Sequence, residues 1–111
     1  MASVGAGSRR KGASAEREIA AILTEYGYPC HRGIFAAGEP DVVGLPGVHI
    51  EVKRREKLAL EDWMAQAKRD SKPREMPAVF HRKNRGEWLV SIPLDVFMTI
   101  YREWEAGCRH E

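Results

Sequence analysis

Residues 38–54 read G-E-P-D-V-V-G-L-P-G-V-H-I-E-V-K-R, and this run constrains the fold more than any other stretch of the chain. Val48, Ile50 and Val52 alternate with His49, Glu51 and Lys53, the period of a strand that buries one apolar face. Asp41 opens the preceding apolar run at a Pro-Asp pair, ten residues before Glu51. Leu45-Pro46-Gly47 is a tight turn, so Asp41–Gly44 and Val48–Arg54 are expected to pair, the second as the central strand. Pairing would draw Asp41 and Glu51 together and set Lys53 about 7 Å beyond Glu51 on the same face.

Two carboxylates and an ammonium at the mouth of a small sheet can hold a hard cation such as Mg²⁺ and act on a phosphate. Hydrolysis of a phosphodiester needs a polarised phosphate, an activated water and relief of charge on the leaving oxygen. Asp41 and Glu51 are the ligand candidates, with the main-chain carbonyl of Val52 as a further oxygen. Lys53 can orient the water, help deprotonate it or offset negative charge in the transition state. Each signal is weak by itself. Any E-x-K strand can close an ion pair, and Pro-Asp is an ordinary turn dipeptide. Their occurrence on consecutive strands, one turn apart and with the apolar face intact, is what points to chemistry.

The rest of the chain supplies helices for such a sheet. Residues 1–8 are small and polar and read as a flexible tail, leaving 9–111 as a single domain. From Ala13, residues Ala15, Ile19, Ile22, Leu23 and Tyr26 fall on one helical stripe, with Ser8 and Ser14 as alternative N-caps and Gly27 as the stop. Tyr28–Phe35 reads as a first strand. A second helix is expected over Leu60–Asp70, burying Leu60, Trp63, Met64 and Ala67. Ala78–Arg82 and Glu87–Ile92 read as strands joined by Lys83-Asn84-Arg85-Gly86, whose Asn and Gly tolerate positive φ. Pro93 opens a last helix with Leu94, Phe97, Met98, Tyr101 and Trp104 on one stripe, serving a core or a dimer surface, and Gly107 ends it. The order is α-β-β-β-α-β-β-α, an α/β chain with a mixed central sheet flanked by helices.

With 43% hydrophobic and 31% charged residues, the composition suits a soluble globular protein. No apolar run approaches the roughly 20 residues of a membrane span. Cys30 and Cys108 form no metal-type pair, and no secretory signal is evident, so a cytoplasmic location is expected. The net charge of +2 hides clustering: Arg9-Arg10-Lys11, then Lys53, Arg54, Arg55 and Lys57, then Arg82, Lys83 and Arg85. Such clusters beside an acidic site suit a polyanionic phosphodiester. Arg9, Arg10, Lys11, Arg54 and Arg55 are candidates for contacts to a DNA backbone, which give affinity and not sequence readout. His31, His49, His81 and His110 show no metal-type spacing; His49 shares the Glu51 face and could approach the site, but a lone strand histidine is more often a surface residue, and it is not counted among the site candidates.

Pro40-Asp41 and Glu51-Val52-Lys53 resemble the PD-(D/E)-x-K nuclease superfamily and fill its motif without substitution. Arg10-Lys11-Gly12-Ala13-Ser14-Ala15-Glu16-Arg17-Glu18 resembles the start of archaeal-type Holliday-junction resolvases. The resemblance covers most of residues 10–53. It implies a restriction-endonuclease-like core, Mg²⁺ (with Mn²⁺ as substitute) and DNA, in particular junction DNA, as the partner. It maps the carboxylate that the family's first helix gives to the metal onto Glu16, and makes Arg17 a phosphate-contact candidate. Glu16 also borders the buried stripe of its helix, although a glutamate near a helix start can simply complement the dipole. Gln66 resembles a polar residue that related nucleases place near the metal. The loop 33–39 lacks the serine that such resolvases often carry. A homodimer is expected, because two strands of a junction need two sites. Other readings are a flap, nicking or repair endonuclease on the same fold, or a non-catalytic nucleic-acid-binding module.

Overall fold

The computed structural model of the protein describes residues 3–34 and 36–109, with side chains from residue 12 onward. Its elements are α1 (Ser3–Glu25), β1 (His31–Arg32), β2 (Val42–Val43), β3 (Val48–Arg54), α2 (Leu60–Asp70), β4 (Met76–Arg82), β5 (Leu89–Ser91) and α3 (Leu94–Cys108). The order is the expected one. The five strands lie side by side in sequence order; β1, β2 and β3 form an antiparallel meander, and β4 and β5 are antiparallel. Between these units β3 and β4 run parallel, which requires a crossover, and α2 provides it. The result is the mixed sheet and flanking helices of a restriction-endonuclease-like core.

The two faces of β3 differ. Ile50 and Val52 pair in register with Ala78 and Phe80 of β4 and pack under Ala15, Ile19 and Ala20 of α1. Ile19 and Ile50 are almost wholly enclosed, each worth about 1.5–3 kcal/mol of transfer free energy. His49, Glu51 and Lys53 face the other way, in register with Pro77, Val79 and His81, on the side where α2 lies. α2 buries Ala67 there, and carries Glu61 and Asp62 in its first turn and Lys68 and Arg69 in its last, complementing its dipole.

Several boundaries depart from expectation. α1 begins at Ser3, so the helix takes in residues 3–8, read as a tail, and neither Ser8 nor Ser14 caps it. Residues 1 and 2 lie outside the described residues. Gly27, at φ +103, ends the helix as foreseen: Tyr28 N–H reaches back to Leu23 C=O. Tyr26 therefore falls past the last turn and is exposed, not part of the buried stripe. The first strand is two residues long because Thr24 Oγ1 takes the Cys30 N–H; Phe35 lies outside the described residues. The Lys83–Gly86 turn closes through Gly86 N–H to Lys83 C=O, with neither Asn84 nor Gly86 at positive φ. Among the described residues, no helix is long and apolar enough to cross a membrane.

Candidate functional site

The β2–β3 ladder stops early, and that stop builds the site. Asp41 N–H donates to Ile50 C=O, after which Pro40 has no N–H to continue the pairing. Val52 N–H instead donates to the Asp41 carboxylate, Oδ2, at 2.8 Å. The amide and carbonyl of one strand residue share an edge, so the Val52 carbonyl faces the same gap. Gly33 closes the other side. Its N–H donates to Asp41 C=O, and a Cβ there would stand 2.0 Å from the Pro40 oxygen, so glycine alone fits.

Three carboxyls and one ammonium meet at this gap. Burial pushes the Asp41 carboxyl up to about 7, and the neighbouring Glu51 charge adds to the rise. Glu51, 1% exposed, is also raised by burial, with Asp41 and Lys53 opposing and Asp70 and Glu16 reinforcing. Glu16 is raised by burial and by Asp41, while its 2.9 Å bond from Arg32 Nε restrains it. Lys53 is close enough to lower all three. Its Nζ donates to Gln66 Oε1 at 3.2 Å, so the lysine's hydrogen bond goes to α2 and not to Glu51. Glu16 lies far from the start of α1, which removes the dipole reading; Glu18, two residues on, turns away to accept from Trp88 Nε1 and Arg82. A cavity of about 300 Å³ opens beside Glu16 and Asp41, lined also by Gly33, Ile34, Ala36 and Pro40.

The donor set fits a divalent cation. Among the described residues Glu51 Oε2 is buried with no hydrogen-bond partner, and three neighbouring carboxyls share an environment that resists their charge. A cation between them would satisfy the orphaned oxygen and oppose the upward shift of all three. Asp41, Glu51, Glu16 and the Val52 carbonyl offer oxygen donors of the kind a hard divalent cation takes, but among the described residues the group whose ligating atoms lie within 4.8 Å of one another is His49, Glu51 and Asp70.

Sequence reasoning missed the support behind Glu51. His49 is no surface residue but 1% exposed, with Nε2 3.2 Å from Glu51 Oε1 and Nδ1 3.9 Å from Glu75 Oε1. His49, Glu51 and Asp70 bring one ligating atom each within 4.8 Å of one another. Asp70 could have been found from Gln66, since residues four apart on α2 share a face. Nothing local points to Glu75, which arrives through the parallel register of β3 and β4.

The proposed DNA contacts divide. Arg17 and Arg55 are exposed, whereas Arg54 points to the α1 side, near Glu18, with its Nε buried. Gln66 stands on the Lys53 ammonium. The side chains of Arg9, Arg10 and Lys11 lie outside the described residues. The parallel register sets Arg54 beside Arg82, so the basic groups at 53–57 and 82–85 merge at one end of the sheet next to Lys53. Lys57, Lys83 and Arg85 are exposed there.

No curated protein and no solved structure matches the chain. A family model described as "Phage putative PDDEXK endonuclease" matches residues 7–107 of the 111. That span takes in Glu16, Asp41, Glu51 and Lys53 and every strand of the sheet. The chain therefore belongs to this phage PDDEXK endonuclease family.

Proposed function

We propose that the protein is a Mg²⁺-dependent DNA endonuclease that cuts branched DNA in the manner of Holliday-junction resolvases, within the host cytoplasm, with residues 9–111 as its nuclease domain. The observation that carries this reading is the convergence of Asp41, Glu51, Glu16 and Lys53 around one gap at the end of the β2–β3 ladder.

Asp41, Glu51 and Glu16, with the Val52 carbonyl as a neutral fourth oxygen, would hold a divalent ion, which would supply Lewis-acid activation of the phosphate and of the attacking water. Lys53, held by Gln66, orients the water and offsets charge on the phosphate. Arg17 and Arg55, with Lys57, Lys83 and Arg85, grip the phosphodiester backbone on either side. A four-way junction presents two strands, and two copies of the chain supply the two sites.

The test is cleavage of labelled four-way junction, flap, linear duplex and single strand with Mg²⁺, by wild type and Glu51→Gln. Paired incisions across the junction, absent in the variant, are expected. Preference for flaps or duplex would replace the resolvase reading with a flap or nicking enzyme. Metal-dependent cleavage of no substrate would leave a binding module.

A further inference from the structure

α3 has the sequence of a packed helix and the surroundings of an unpacked one. None of its 15 residues is buried, although Leu94, Phe97, Met98, Tyr101 and Trp104 recur at helical spacing. Leu94 is 75% exposed and Trp104 62%. Along the stripe Phe97 stacks on Tyr101 and Tyr101 meets Trp104 at a tilt, with ring centroids 6.0 and 5.6 Å apart. Among the described residues, α3 makes no extensive contact with another element. A helix of this length is marginal in water without a packed face. At its foot a groove of about 530 Å³ runs between α2 and β5, lined by Leu60, Met64, Val90, Ile92 and Leu94.

We infer that α3 is the surface on which a second copy of this chain docks, as an antiparallel α3–α3 pair about a two-fold axis. The inference deepens the homodimeric part of the reading above, but it rests on surface and charge, independent of the nuclease chemistry. Three observations select a second copy. Aromatic side chains carry about 150–250 Å² each, so the exposed stripe amounts to several hundred Å². That approaches the roughly 800 Å² that each partner covers in a standard interface. Asp95 and Arg102, seven residues apart, lie on the same flank of the stripe with opposite charge. In an antiparallel pair like flanks meet, so Asp95 of each copy faces Arg102 of the other, and the helix dipoles oppose. That register sets Trp104 of the second copy opposite Pro93, at the mouth of the groove. One surface thus provides ridge, pocket and matched charges for its own image.

The experiment is sedimentation equilibrium of the full chain across the micromolar range, with circular dichroism to monitor folding. Wild type is expected to dimerise, and Trp104→Glu to be a folded monomer, since among the described residues the Trp104 ring packs only on Tyr101 of its own exposed helix. Asp95→Arg and Arg102→Asp each turn two symmetry-related attractions into repulsions and should raise the dimer Kd by on the order of tenfold. The double variant should restore it. A wild type that stays monomeric, a dimer indifferent to Trp104→Glu, or a double variant as weak as the singles would overturn the inference. So would co-sedimentation with anionic vesicles in place of self-association. Cleavage by the same preparations is scored separately, so loss of the dimer and loss of the nuclease reading are told apart.

Discussion

Replacing Asp41 with asparagine should make the metal-free protein more stable at neutral pH while abolishing cleavage. The fold raises this carboxyl from its ordinary 3.8 to about 7. Below pH 4 both folded and unfolded chains keep the proton and no penalty exists. Between about pH 4 and 7 the unfolded chain ionises while the folded one holds its proton, so stability falls as pH rises. Above pH 7 the full cost is present, on the order of 4 kcal/mol if Asp41 acted alone. Glu51 shares that cost, and removing the Asp41 charge is expected to recover about half of it. Asparagine keeps an oxygen to accept from Val52 N–H and carries no charge, so the variant escapes the penalty. A gain of about 2 kcal/mol corresponds to roughly 8 °C in Tm for a domain of this size. Thermal unfolding in EDTA from pH 5 to 8.5 should show wild type losing Tm as pH rises and the variant much less affected. Adding Mg²⁺ should then raise wild type and leave the variant unmoved. Parallel pH profiles for the two proteins, or a variant less stable at pH 8, would refute the argument.

Other substitutions probe the surrounding parts. Lys53→Met should lower kcat by about 10²–10⁴ with little change in DNA affinity, measured by single-turnover cleavage and by filter binding in Ca²⁺. His49→Phe removes the partner of Glu51 Oε1 and should weaken metal affinity about 10–100-fold by calorimetric titration; unchanged affinity would make the histidine a packing residue only. Gly33→Ala forces a Cβ into the Pro40 carbonyl and should cost about 1–3 kcal/mol in urea unfolding.

The sequence reading succeeded where information is local. The E-x-K strand declared itself through strict alternation, and Leu60–Asp70 through helical spacing, favourable end charges and the Ser-Lys-Pro that follows. Asp41 and Glu51 were brought together by a turn of a few residues, a short-range constraint. The errors arose where distant elements decide. Tyr26 shares the period of its helix but overruns the Gly27 stop. His49 looks like any polar strand residue until α2 and the turn before β4 cover it with Asp70 and Glu75. The apolar stripe of α3 was plain, but periodicity cannot say whether its cover comes from the same chain.

Because Asp41 grips the amide of the residue between Glu51 and Lys53, the three groups proposed to act on the phosphate share a frame only a few bonds across. Their spacing is inherited from peptide geometry and hardly from how the outer layers settle. Changes to the exposed residues at 55–57, at 83–85 and along α3 therefore leave that frame undisturbed.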